Sequence, residues 1–203
     1  MNIIFTDFDN SLYLGDSFKD FLMRTPTLIK VKIFFGAISN FDSTIKRSIK
    51  KATISCFLNG DKKILDDMCH NFNHVLERKV SENLRHLGKV FPNSSIFVVT
   101  ASPTFYLKGW FEGKGIEVIG SEIQNGSLTI PKNEVKRIVM EQMLVKFAEP
   151  KSKVIGIGNC HDDLQMLTRA NLAFLVGPKK KCLQHYRFSS VRTVRVFEDI
   201  YSI

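Results

Sequence analysis

At 203 residues, with 44% hydrophobic and 24% charged positions, the chain has ordinary globular usage and length for one domain, or one domain carrying an insertion. Its net charge of +9 favours anionic partners such as phosphorylated metabolites, membrane surfaces or nucleic acid, without choosing among them. The most apolar window, Leu28 to Ile38, is interrupted by Lys30 and Lys32, which excludes a membrane span, and four cysteines (Cys56, Cys69, Cys160, Cys182) without CxxC spacing or a visible signal peptide point to a reducing cytoplasm.

The chain opens M-N-I-I-F-T-D-F-D-N-S. Ile3-Ile4-Phe5 suits a buried strand of a parallel sheet, and Asp7 and Asp9 follow at once, separated by Phe8. Desolvation penalises an isolated buried charge, so two acids at a strand exit imply a compensating cation, most simply a hard divalent metal; an ordinary turn is the plainer alternative. The C-terminal edge of such a strand is also where open α/β sheets place ligands.

After a loop through Asp16, residues 17 to 86 show no strand pattern, and Phe18, Phe21, Leu22, then Phe72, Val75, Leu76 recur at helical intervals. Three or four helices are predicted, with breaks at Pro26 and Asn59-Gly60. Thr27 to Ile38 is apolar and cationic: either an amphipathic helix on a membrane surface or, as preferred here, a helix packed on its neighbours with its lysines reaching water. Lys46, Arg47, Lys50 and Lys51 lack interleaved aromatics and read as a solvated helix face rather than a nucleic-acid site. Cys69, His70 and His74 have no matching fourth zinc ligand and read as ordinary helix residues.

Ile96 to Val99 is a second buried strand, leaving through Thr100-Ala101-Ser102-Pro103. Hydroxyls and backbone N–H groups there suit either a phosphate or a simple helix cap. A helix over 104–113, a strand over 116–119 and a hairpin over 122–129 turning at Asn125-Gly126 come next. The following helix is predicted from Pro131 to about Phe147, and Lys136 in its first turn opposes the helix dipole unless an anion lies near it. Val154 to Gly158 is a further core strand running into Asn159-Cys160-His161-Asp162-Asp163, ahead of a helix start at Leu164, Met166 and Leu167. Leu172 to Val176 is a fifth strand and Thr193 to Val196 a short edge strand. The alternation predicts an α/β, Rossmann-like parallel sheet with helices on both faces, formed by 1–14 and 90–203, with an all-helical cap at 15–89 inserted over the sheet's C-terminal edge. Asp7/Asp9, Thr100/Ser102 and Asp162/Asp163 then meet at neighbouring strand exits.

These residues resemble the haloacid-dehalogenase-like (HAD) hydrolases, in their phosphoserine-phosphatase-like branch (subfamily IB) with a helical C1-type cap. Asp7-Phe8-Asp9-Asn10-Ser11 is similar to the DxDx(T/S) first motif, Phe97-Val98-Val99-Thr100 to the second, Glu134-Val135-Lys136 to the third-motif lysine, and Gly158 to Leu167 to GDxxxDxxML. The resemblance implies a Mg2+-dependent phosphatase in which Asp7 is the nucleophile that becomes an aspartyl-phosphate, Asp9 the general acid and base, and Thr100 and Lys136 bind the phosphoryl group. It further implies Asn10, Ala101, Ser102 and Asn159 as substrate-binding, and Asp7, Asp9 and Asp163 as metal-binding. The chain departs from the pattern at Asn10, Ser11 and Asn159; the last replaces the usual acid and removes a negative charge that Asp162 could compensate. Asp16 falls where phosphoserine phosphatases carry a glutamate for the substrate amine, and the basic, apolar cap segment loosely resembles that of bacterial phosphatidylglycerophosphate phosphatases. The expected substrate is therefore a small phosphomonoester or a lipid-linked phosphate, with peripheral membrane contact through the basic cap and no nucleic acid. The alternative is a catalytically weak phosphate-binding or interaction protein.

Overall fold

The computed structural model describes residues 1–39, 43–125, 127–177, 194–197, 200 and 203, so that Gly126, Cys182 and Thr193 lie outside the described residues. Its centre is β1 (Asn2–Thr6), flanked in parallel by β2 (Ser94–Pro103) and β5 (Lys153–Gly158), with Ile4 level with Ile96 and Ile155. Beyond these stand β3 (Ile116–Gln124) and β4 (Ser127–Thr129) on one side, and β6 (Leu172–Val176) and β7 (Val194–Phe197) on the other. The order is β4-β3-β2-β1-β5-β6-β7. Every neighbouring pair is parallel except the β3/β4 hairpin, which pairs Gln124 with Ser127 and places Asn125 at φ +50°.

Alternation along the strands fills both faces, because successive side chains point to opposite sides of a pleated sheet. Ile3 and Phe5 join Phe97, Val99, Val154 and Leu175 beneath Met140 of α6 (Glu134–Phe147) and Met166 and Leu167 of α7 (Leu164–Leu167). Ile4 points the other way, with Val98, Ile155, Phe174 and Val176, into a core shared with Leu87 of α4 (Lys62–Val90) and Trp110 and Phe111 of α5 (Lys108–Phe111).

Four helices fall between β1 and β2: α1 (Ser17–Arg24), α2 (Thr27–Ser39), α3 (Ile45–Leu58) and α4. Pro26 and Asn59-Gly60 sit at the breaks the sequence marks. Side-chain caps fix three of the starts: Asp16 accepts from Lys19 N at 2.9 Å, Thr44 from Arg47 N at 3.2 Å, and Asp61 from Lys63 N at 2.9 Å. Aromatic packing ties this block to the end of β2. Phe21 of α1 stacks on Tyr106 at 4.7 Å and meets Phe57, Phe72 and Phe105 edge-on, while Phe57 lies 5.1 Å from Phe105.

Two elements differ from the sequence reading. The helix expected over 104–113 is a 3-10 turn at Thr104–Tyr106 followed by the four residues of α5; Phe105, Tyr106, Leu107, Trp110 and Phe111 all pack on the apolar core, so tertiary contacts rather than helix periodicity shape the segment. The helix expected from Pro131 starts three residues later, because Asn133 takes φ +46° and its N–H donates to the Asp162 carbonyl at 2.7 Å. Gly158 makes a close approach at the end of β5: a Cβ added there would lie 2.6 Å from Cβ of Asp163. Gly158→Ala is expected to destabilise the protein by about 1–3 kcal/mol through overpacking, read as a lower urea midpoint with an unchanged m-value; an unchanged midpoint would show that the Asp163 turn yields freely.

Candidate active site

Three strand exits converge on the C-terminal edge of the sheet. At the first, β1 ends at Thr6 and the chain turns through Asp7-Phe8-Asp9. Phe8 enters the core against Tyr13 (5.6 Å) and Phe111 (5.9 Å), while both carboxylates face a cavity of about 550 Å3. The loop then turns at Asn10, whose φ of +57° is one that asparagine tolerates and whose N–H donates to Tyr13 O at 2.7 Å. Asn83 of α4 holds the far side of this loop by donating to Leu12 O at 2.5 Å.

Lys136, in the first turn of α6, answers the anomaly noted in the sequence. Its ammonium, 1% exposed, donates to Asp7 Oδ1 and Asp163 Oδ1, each at 2.6 Å. The two carboxylates raise the lysine pKa above its ordinary value against the effect of burial. Burial, with the Asp163 charge adding to it and Lys136 opposing it, pushes Asp7 up to about 7. The other oxygen of Asp163 accepts from the backbone N–H groups of Asn159 (2.9 Å) and Cys160 (3.1 Å), so both of its oxygens are engaged within the fold. The Asn159 amide donates to Asp7 Oδ2 at 3.0 Å, to the Asp9 carbonyl and to Ser11 Oγ at 3.2 Å.

Asp9 occupies a second subsite. Its Oδ1 accepts from Ser17 N at 2.7 Å at the start of α1, and its Oδ2 from Ser102 Oγ at 2.5 Å at the end of β2. Ser17 Oγ lies 3.0 Å from Tyr106 Oη. Burial raises the Asp9 pKa, and the Ser102 and Ser17 donors offset part of that rise. Thr100 Oγ1 accepts from Ser102 N at 3.0 Å, which fixes the turn at the end of β2. Asp7, Asp9, Asn10, Thr100, Ala101, Ser102, Lys136 and Asn159 all line the one cavity.

A metal ion is implied by the family resemblance, and the donor set can be tested against it. Asp7 Oδ2, the Asp9 carbonyl and Ser11 Oγ converge on one point, now held by the Asn159 amide nitrogen. Carboxylate, carbonyl and hydroxyl oxygens are hard donors that suit Mg2+, so the residues fit. Among the described residues no group of three or more His, Cys, Asp or Glu side chains is placed to hold a metal ion.

The structure corrects one reading and adds residues that the sequence hid. Of the basic run read as a solvated face, Lys46 is exposed and Arg47 and Lys51 are half-buried, but Lys50 is only 5% exposed, and Lys46, Arg47 and Lys50 line the cavity from α3. The Lys50 ammonium donates to the Ala101 carbonyl, and burial, with Lys46 adding to it, lowers its pKa to about 8. Arg47 donates to Leu128 O at 2.8 Å. Lys132, paired with Asp162 at 2.7 Å, lines the opposite rim. The 46/47/50 spacing on one helical face was the available signal; its direction depends on how α3 packs.

No family model matches the chain, and no curated protein matches it in sequence. Solved structures do. A protein of unknown function from Bordetella pertussis Tohama I superposes with a TM-score of 0.66 at 14% identity, over 95% of this chain and 97% of that one. A phospho-aspartyl intermediate analogue of phosphoserine phosphatase gives 0.58 at 13% identity, over 100% and 96%. A HAD family hydrolase from Salmonella enterica serovar Typhi gives 0.54 at 13% identity, over 96% and 67%.

Removing the bridging cation tests the site's electrostatics. In Lys136→Met, Asp7 and Asp163 face each other buried without their ammonium, expected to cost about 3–5 kcal/mol at pH 8. Burial already raises the folded pKa of Asp7 and Lys136 opposes that rise, so without the lysine it lies further above the unfolded carboxylate value; protonation then favours the fold, and stability is lost as pH rises through the folded pKa. Urea unfolding should show the deficit shrinking towards pH 5; a pH-independent deficit would exclude the charge origin. By its superposition on these structures, the chain has the fold of the haloacid-dehalogenase-like hydrolases in the form found in the phosphoserine phosphatases.

Proposed function

We propose that this chain is a Mg2+-dependent phosphomonoester hydrolase that works through an aspartyl-phosphate on Asp7. The observation carrying this reading is the pair of carboxylates in one cavity with different partners: Asp7 held by a buried ammonium, Asp9 held by a hydroxyl and a backbone N–H. A nucleophile must be fixed and ionised, and Lys136 provides both orientation and positive charge. An acid/base must exchange a proton with the leaving group and then with water; burial raises the Asp9 pKa, and its partners are a hydroxyl and a backbone N–H rather than a cation. A carboxylate oxygen of Asp7 would attack phosphorus as the bond to the alkoxide breaks and Asp9 protonates it; Asp9 would then take a proton from the water that releases phosphate from Asp7. Thr100, Ala101, Ser102 and Asn10 surround the place of the phosphoryl oxygens. Bound magnesium would supply charge neutralisation to the transferring group. Asp7 and the Asp9 carbonyl would hold it, with Asn159 beside them and Asp163 contributing charge through Lys136.

Residues 15–89 act in this reading as a cap over the site, contributing Asp16, Phe18, Lys46, Arg47 and Lys50 to the cavity. Three cations against one acid on the cap side favour a small phosphomonoester bearing a second acidic group; a lipid-linked phosphate presents the same chemistry. Asn159 favours a second reading, a phosphate-binding protein of little turnover, because it removes one negative charge from the metal site.

Phosphate release from a panel of phosphomonoesters with and without a second acidic group, with and without Mg2+, distinguishes these. Mg2+-dependent turnover is expected, falling by at least about 1,000-fold in Asp7→Asn; release by that variant at the wild-type rate would refute the nucleophile, and phosphate binding without turnover would favour the binder. Lys50 gives a further expectation. Its positive charge is lost as pH rises through about 8, so sulfate, a dianion across this range, should bind more weakly at higher pH by calorimetry, and Lys50→Met should flatten the dependence.

A further inference from the structure

Helix α2 has the sequence of a buried helix and the position of an exposed one. A helix that is apolar all round normally lies within a core. In α2 only Ile33 and Ala37 are buried, whereas Leu28, Val31, Phe34, Phe35 and Ile38 are between 44% and 71% exposed. The packed face meets α3, where a Cβ on Gly36 would touch Cβ of Ala52 at 3.4 Å. At 100° per residue, Phe34, Ile38, Val31, Phe35 and Leu28 lie within one arc of about 120° on the outward side, with Thr27 at the helix start the one polar residue among them. Lys30, whose exposed ammonium donates to the Met23 carbonyl at 2.9 Å, borders that arc on one edge and Lys32 on the other, and α2 contains no acidic residue.

We propose that the outward face of α2 docks the protein on an anionic lipid surface, with the five apolar side chains entering the headgroup–acyl boundary and Lys30 and Lys32 reaching lipid phosphates on either side. The order of residues around the helix is the argument: apolar in the middle, cationic at both margins, as a helix lying in a membrane interface requires. Thirteen residues are too few to cross a bilayer, and no described helix is long and apolar enough to do so. Charge separates this occupant from a second copy of the chain. Two molecules of net charge +9 meeting through a face bordered by lysines repel each other, whereas an anionic surface attracts each of them. The proposal stands independently of any catalysis.

Vesicle co-sedimentation tests it, with phosphatidylcholine alone and phosphatidylcholine mixed with phosphatidylglycerol as the probes. The wild-type protein is expected to pellet with the anionic vesicles, and more weakly as salt is raised. Phe34→Ser/Phe35→Ser should lower partitioning by about tenfold or more, and Lys30→Glu/Lys32→Glu should abolish the preference for anionic lipid. These side chains are exposed, so circular dichroism and the urea midpoint should stay unchanged; if the phenylalanine pair nevertheless alters folding, Leu28→Ser/Ile38→Ser reads the same face. Failure of the wild type to bind anionic vesicles overturns the proposal, as does binding that survives both apolar double variants. A wild-type dimer in sedimentation velocity that the apolar variants dissociate would assign the face to self-association instead.

Discussion

The buried ammonium of Lys136 between Asp7 and Asp163 is the contact around which the rest of the site is arranged. Two carboxylates and one ammonium that are almost wholly buried form a group that folding tolerates only when the remaining lone pairs are answered. The answers come from neighbouring strand exits. Backbone N–H groups of 159 and 160 take one oxygen of Asp163, and the Asn159 amide takes the free oxygen of Asp7. Gly158 allows the approach, since any side chain there would strike Asp163. A salt-bridged group of this kind is weak evidence for stability, because a well-packed apolar cluster serves that end at least as well. Its presence where a central parallel strand ends is better explained by chemistry that needs a fixed carboxylate.

The neighbouring acid is kept apart by local geometry. Phe8 turns into the core while Asp7 and Asp9 both face the cavity, yet the two carboxylates have different hydrogen-bond partners. Asp7 answers to α6, whereas Asp9 answers to Ser17 on α1 and Ser102 on β2. The helical block is therefore joined to the sheet through the proposed acid/base itself. The aromatic group centred on Phe21 and Tyr106 holds that junction from the apolar side, so movement of the block against the sheet would alter the Asp9 contacts before it altered those of Asp7.

Strand positions were legible because buried parallel strands are short, apolar and β-branched, as in Ile96 to Val99 and Val154 to Gly158. Lys136 was legible as an electrostatic misfit in a first helical turn, and the misfit located its anions in kind though not in identity. Lys50 was not legible. Nothing in K-R-S-I-K-K states that one lysine will be buried on the Ala101 carbonyl, since this follows from how α3 packs against α2 and the end of β2. Packing likewise overrode the pattern at 104–113, where five apolar side chains meet the core and no regular helix could direct them all inward. Thr27 to Ile38 misled in the opposite direction: its apolar content suggested a packed helix, and the structure leaves most of that content outside.

Asn159 shows how a single charge divides two states of the site. An acid at this position would place a third carboxylate beside Asp7 and Asp163 against one ammonium, an arrangement that repels itself until a divalent cation arrives. The amide removes that repulsion and supplies a donor to Asp7, to the Asp9 carbonyl and to Ser11, so the site is satisfied by the chain's own groups. The same contacts occupy the point on which hard oxygen donors converge, so a cation entering there must displace hydrogen bonds that an aspartate would never have formed. In the proposed reading the amide thus stabilises the site without metal at the expense of affinity for Mg2+, and the cations on α3 would acquire greater weight, because they would attract an anionic substrate whether or not the metal is bound.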